Sequence, residues 1–163
     1  MLSFEDKTLK ELTSKFAKPG KVELITYRPE QNNLPKETES INALKDYGLE
    51  GDHYAKKGGK RQVTLIQKEH IEAVASMMGM EQIDPKLLRR NIVVSGINLL
   101  ALKGHQFKIG DAVLEFAGPC VPCSRMEENL GKGGYNAMRG HGGICCRVIE
   151  SGEIRIGDGV EVV

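Results

Sequence analysis

"FKIGDAVLEF" (107–116) and "IRIGDGVEVV" (154–163) carry one pattern twice, with basic–Ile–Gly–Asp–x–Val in the same register. Apolar residues alternate with charged ones on both sides of a Gly-Asp step. Alternation with a period of two is the mark of a half-buried strand, and Gly-Asp between two such runs is a turn. Two hairpins of one design point to a closed or nearly closed antiparallel sheet rather than to alternating strand–helix units. A single echo is too few for a stacked-repeat architecture.

The surroundings of these hairpins extend the same reading. Thirteen of the 19 glycines lie beyond residue 95, punctuating strands such as "AVLEFA" (112–117) and "ICCRVIE" (144–150). Upstream, "KVELITY" (21–27) and "QVTLIQ" (62–67) read as strands, and the polar, proline-containing stretch 28–47 between them as a loop. Ile71, Val74, Ala75 and Met78 recur at helical spacing and predict a helix over 68–79. Asp84-Pro85 begins a further short helix, with proline in its first turn. Ser3 with Asp6 resembles a capping pair, and Leu9, Leu12 and Phe16 follow at helical spacing before Pro19-Gly20. The expectation is a mostly β (α+β) barrel with a few short helices, in which 1–20 is an N-terminal helical extension and 21–163 the domain.

A chain of 163 residues can bury a single core without staples. Lys plus Arg number 23 and Asp plus Glu 22, so the net charge of +1 gives no reason to expect nucleic acid or a membrane surface as partner. No apolar run approaches the ~18 residues of a membrane span, and 1–18 lacks the apolar stretch of a signal peptide. A soluble, cytoplasmic protein is expected. In a reducing compartment the four cysteines, Cys120, Cys123, Cys145 and Cys146, call for reactivity, metal binding or burial rather than a structural disulfide.

Chemistry concentrates in "GPCVPCSRMEENLG" (118–131), where "SRMEENL" reads as a short helix ended by Gly131. Cys123 falls at its N-terminus, where partial positive charge favours the thiolate, the form that is both nucleophile and soft metal ligand. Arg125 and Arg139 could add to that charge. Three readings compete: buried small hydrophobes, a thioredoxin-like dithiol, and zinc. The dithiol should sit near the start of a βαβ fold, whereas this motif follows a β-rich region near the end. Zinc would use Cys120, Cys123, His141 and Cys145 in C-x2-C-x17-H-x3-C. Cys145 and Cys146 point to opposite faces of a strand, so only one of them would serve. No stoichiometric zinc is expected. His53, His70 and His105 show no ligand spacing.

A second candidate, "GLEGDHYAKKGGKRQVTLI" (48–66), combines four glycines with Lys56, Lys57, Lys60 and Arg61. Exposed N–H groups and cations of this kind cradle anions, although the spacing is not that of a phosphate loop. The third is "RRNIVVSGIN" (89–98). If the strand begins at Arg89, then Arg89 and Asn91 share one face as a fork for a phosphate or a polar heterocycle. Arg90 would then point the other way, to solvent or a carboxylate.

Taken together, "GLEGDHY", "RRNIVVSGIN", "KIGDAVLEFAGPCVPCSRME" and "HGGICCRVIESGEIRIGDGVEVV", in that order, resemble the MOSC domain, the C-terminal domain of molybdenum cofactor sulfurase. The resemblance runs from about Lys21 to Val163 and implies a mixed barrel rich in β. It implies molybdenum cofactor (molybdopterin) binding, with Cys123 as catalytic residue and metal ligand. Arg89 and Asn91 match residues that contact the pterin, and Lys60 and Arg61 lie in a segment near the site. Members related to the amidoxime-reducing components imply reduction of N-hydroxylated small molecules, with electrons from a separate flavin or haem protein. Those members carry a further N-terminal β domain that contacts the cofactor, where this sequence has about 20 residues before its first strand. Other members imply a sulfur carrier with a Cys123 persulfide, and a third possibility is a non-catalytic module with a vestigial site.

Overall fold

The computed structural model describes residues 8–31 and 34–163. Its strands are β1 (Gly20–Tyr27), β2 (Lys36–Thr38), β3 (Ser40–Leu44), β4 (Gly48–Leu49), β5 (Val63–Gln67), β6 (Ile92–Ser95), β7 (Gln106–Ile109), β8 (Ala112–Pro119), β9 (Ile144–Glu150), β10 (Gly152–Arg155) and β11 (Gly159–Val162). Helices α1 (Leu9–Thr13), α2 (Lys68–Met77), α3 (Ser124–Leu130) and α4 (Gly134–Met138) accompany them. Two 3-10 turns, Pro85–Leu88 and Leu99–Leu102, complete the elements.

Seven of these strands close a barrel in the order β11-β7-β8-β9-β5-β6-β1, and β1 meets β11 again through Gly20↔Val160. Pairings are antiparallel except β5–β6, which run parallel because α2 and the Pro85–Leu88 turn form the crossover between them. The barrel is therefore mixed, not purely antiparallel as the hairpin echo alone implies. The interior is filled by the alternate residues of the strands, among them Val22, Ile25, Leu65, Phe107, Leu114 and Cys146. A second apolar cluster lies outside the barrel, where α2, α3 and α4 cover Ile66 and Val93. For this reason β5 is buried on both faces and lacks the alternation of the other strands.

The echo proves to be two different objects. "FKIGDAVLEF" is a hairpin, with Phe107 opposite Leu114. In "IRIGDGVEVV" the strands part company: β10 pairs with β3 in a small second sheet, while β11 joins the barrel between β7 and β1. The turn is held by Arg155 N–H donating to Asp158 Oδ2 (2.7 Å) and by Gly157 N–H donating to Val22 O (2.8 Å). The same local pattern makes a hairpin in one place and a corner in the other, depending on which strand is nearby.

Two other expectations are corrected. The 28–47 loop contains β2 and β3; Ile41 and Ala43 face inward with Asn42 outward, and Ile41 pairs with Ile154. The strand in "RRNIVV" begins at Ile92, three residues later than Arg89. The first helix is capped by Thr8 and Glu11 in a reciprocal capping box, while Ser3 and Asp6 lie outside the described residues.

Candidate functional site

The site is built around Arg90. Asp84 caps the Pro85–Leu88 turn with its Oδ1 accepting from Lys86 N–H (3.0 Å), and the turn ends at Arg89 in the left-handed conformation, φ 59°. That residue rotates the chain before β6, so the parity of an extended strand does not apply to 89–91. Arg90 consequently points inward and is buried. Its Nε donates to Gly142 O (2.8 Å), and its terminal nitrogens to Leu88 O (3.0 Å) and Val121 O (3.5 Å). One guanidinium thus joins the turn before β6, the turn before β9 and the loop between Cys120 and Cys123. The expectation that Arg90 faces solvent or a carboxylate is overturned.

Asn91 also does something other than expected. Its Oδ1 accepts from Thr64 N–H (3.0 Å) and from the Thr64 hydroxyl (3.1 Å). Its Nδ2 donates to Thr26 O (3.2 Å) and Asp52 Oδ1 (3.3 Å). An amide has four hydrogen-bonding positions, and all are occupied within the protein. Asn91 clamps β1, β5 and the 50–54 turn together instead of sharing an open face with Arg89.

Asp52, the acid of "GLEGDHY", is the next link. Its Oδ1 accepts Arg28 N–H (2.8 Å) and its Oδ2 accepts Tyr54 N–H (3.3 Å). The turn so fixed lays the Tyr54 ring on the Arg28 guanidinium, with Cζ 4.3 Å from the ring centroid. Arg61 reaches the same ring at 5.2 Å. Such cation–π contacts stabilise a guanidinium without neutralising it. Arg28 is only 4% exposed, and among the described residues no carboxylate pairs with it. Arg89 lies near it, with its terminal nitrogen donating to Gln31 O (2.9 Å). Burial, followed by the charges of Arg28 and Arg125, holds the Arg89 pKa below its ordinary value. Several guanidiniums therefore converge beside Tyr54 and Cys123. Lys60, by contrast, is exposed in the preceding bend.

The cysteines occupy distinct settings. Cys123 is exposed and is the N-cap residue of α3, where the sequence places it. Cys120, only 3% exposed, extends the β8–β9 ladder by donating its N–H to Gly143 O (2.8 Å). The Cys145 thiol hydrogen bond lowers the Cys120 pKa to about 6 against the effect of burial, helped by the charges of Arg90 and Arg61. The same hydrogen bond, together with burial, pushes Cys145 up. Cys146 points into the barrel, and burial raises it. Gly142 and Gly143 allow this crowding: a Cβ on Gly142 would run into the Cys120 carbonyl, and one on Gly143 (φ 86°) into the Leu65 carbonyl. His141 stands apart, its ring edge-on to His70 at 5.1 Å and its Nδ1 3.1 Å from Ala137 O. No group of three or more His, Cys, Asp or Glu among the described residues is arranged to hold a metal ion.

Sequence reasoning missed Arg28 and Tyr54. Arg28 stands in an unremarkable "TYRPE" context, and Tyr54 is one aromatic in a glycine-rich loop. Only the Asp52 clamp, which is long-range, turns them into a pair.

The MOSC domain family model matches residues 50–161, most of the chain, and the protein belongs to that family. The match takes in Tyr54, Arg61, the arginine pair and all four cysteines. No curated protein matches its sequence significantly. Among solved structures, the YuaD protein from Bacillus subtilis superposes with a TM-score of 0.77 at 24% identity, over 89% of this chain and 96% of that one. YiiM from Geobacillus stearothermophilus gives 0.72 at 16% identity, over 89% and 75%. YiiM from Escherichia coli gives 0.65 at 20%, over 88% and 69%. At these identities the superpositions establish the fold. MOSC domains are often molybdenum cofactor-binding domains.

Proposed function

We propose that the chain binds a molybdenum–pterin cofactor, with Cys123 as the ligand to the metal and the guanidiniums of Arg28, Arg61 and Arg89 receiving its anionic end. The observation that carries this reading is Arg28, buried beside a second arginine with no carboxylate pairing it among the described residues. Buried like charges are costly unless an anion joins them, and a phosphate meets guanidiniums in a bidentate manner. The donor set fits the group: an exposed soft sulfur lies near a cluster of guanidiniums set against an aromatic ring. Arg90 fixes the loop that presents Cys123, and Asn91 with Asp52 fixes Tyr54 over Arg28. Lys60 would add only outer, screened charge. When bound, the molybdenum would supply two-electron removal of oxygen from an N-hydroxylated small molecule, with electrons from a separate flavin or haem protein.

The test is molybdenum content, measured by mass spectrometry after purification from a host that makes the cofactor. Wild type should retain the metal, and Cys123→Ser should lose it. Arg28→Met should reduce retention at least tenfold, the scale of one charge-assisted contact of about 1.5–3 kcal/mol. Wild type without molybdenum would overturn the reading.

The exposure of Cys123 favours a second reading, a sulfur carrier whose Cys123 persulfide is open to an acceptor. Intact-mass detection of that persulfide, in metal-free protein, separates the two. Neither metal nor persulfide would leave the vestigial binding module.

A further inference from the structure

Two surface regions away from the arginine–cysteine site have opposite chemistry. The first is a groove of about 690 Å³ against α2 and the outer side of β1 and β6. Leu24, Ile71, Ala75 and Ile83 line it, and Met80 is exposed beside them. Glu23, Glu37, Glu72 and Glu81 also line it, against the single Lys68. Lys86 reaches Glu37 at 3.9 Å, whereas Glu72 and Glu81 are exposed with no ion pair among the described residues.

The second is a hollow of about 640 Å³ between α1 and the segment 96–103. Leu12, Phe16, Ile97 and Leu100 give it apolar walls, and Lys15, Lys18 and Lys103 give it charge, with no carboxylate in its lining. Helix α1 buries none of its residues. It is held at its C-terminal end, where Thr13 O lies 3.1 Å from His105 Nε2 and Phe16 packs edge-on to the same ring. Leu9 is left 76% exposed, Leu12 41% and Leu100 47%. An amphipathic helix so short gains little from its own propensity and needs a surface to pack on.

The two regions adjoin along the end of β6. Ser95 Oγ donates to Glu23 Oε1 (2.7 Å), and Gly96 N–H donates to Glu69 Oε2 (2.9 Å). An acidic apolar half next to a basic apolar half forms a self-complementary face. A half-turn of a second copy brings each lysine half onto the other's glutamate half, as an isologous contact requires. We propose that the chain forms a two-fold homodimer in which α1 of each copy, with the lysines that rim the hollow beside it, seats in the Glu72–Glu81 groove of the other.

Sedimentation equilibrium of the full chain tests this. Wild type should weigh twice the 17.9 kDa of one chain over roughly 1–100 µM, and the dimer should weaken as salt rises. A Lys15→Glu/Lys103→Glu variant and a Glu72→Lys/Glu81→Lys variant should each raise the dissociation constant at least tenfold. Mixed one to one, the two variants should associate again, because each then offers the other a complementary hollow and groove. Circular dichroism should be unchanged, as all four side chains are exposed. A monomeric wild type, a dimer indifferent to both reversals, or a mixture that stays monomeric would overturn the proposal. Growth into larger species with concentration would show head-to-tail assembly and overturn its two-fold closure.

Discussion

Arg90 donates to carbonyls from three separate segments, so its removal would act on the chain path and on the thiols that the chain carries. Arg90→Met keeps much of the side-chain volume but orphans buried acceptors, at a cost of roughly 2–4 kcal/mol. Its electrostatic effect is separable from that cost. Cys120 is lowered first by the Cys145 thiol and then by Arg90 and Arg61. In a Cys123→Ser background, the pH dependence of Cys120 alkylation, followed by peptide mass spectrometry, should have its midpoint below the ordinary cysteine value. Adding Arg90→Met should move that midpoint up towards the ordinary cysteine value of about 8.5. A midpoint that does not move would leave the effect to Cys145 and Arg61. The unusual arginine pair was legible in the sequence, but the role of each member was not. Its assignment rested on strand parity, which a single left-handed residue at Arg89 cancels.

Elements here are placed by polar clamps as much as by apolar faces. Asn91 spends its carboxamide on β1, β5 and the Asp52 turn, so Asn91→Ala should show itself as lost stability before lost binding. Leaving Thr64 N–H and its neighbours unpaired in a buried setting should cost about 2–4 kcal/mol in urea unfolding. Gly143→Ala combines a positive φ with contact on the Leu65 backbone, and it should cost at least as much. If either variant unfolds like wild type while losing molybdenum, the residue contacts the ligand directly and the clamp is not its main role. What was legible at this scale followed period and punctuation. The periodic α2, the alternating β7 and β8, and the glycine-ended α3 were all readable. Strand β3 was not, because its two inward residues, Ile41 and Ala43, sit among polar neighbours and are explained only by β10 across from them.

At the scale of the whole molecule, the barrel was foreshadowed by one sequence pattern carried twice, although closure depends on contacts that the pattern does not encode. The seam between barrel and helices makes a further prediction about pH. His70 on α2 meets His141, which precedes the Gly142 and Gly143 carbonyls that receive Arg90 and Cys120. Burial first, and then the His141 charge, holds His70 below its ordinary value of 6.5, against an opposing pull from Glu69. The unfolded chain therefore binds more protons than the folded one in the window from 6.5 down to the lowered folded value. The His70 contribution should be complete above pH 6.5 and should fall as acidification crosses that window, as the His70 ring becomes charged. Glu69 is held below 4.5 by the Gly96 N–H despite burial, and Glu127 by the Tyr135 and Gly133 N–H groups. Their contribution is present above 4.5 and is lost only at lower pH, so the two effects separate. His70→Gln should lower the slope of the urea midpoint between pH ~7.5 and ~5, leaving in that window the part the lowered Cys120 thiol contributes, and should leave the decline below pH ~4.5 in place. A variant that keeps the wild-type slope between ~7.5 and ~5 would show that some group other than the histidine pair governs the seam.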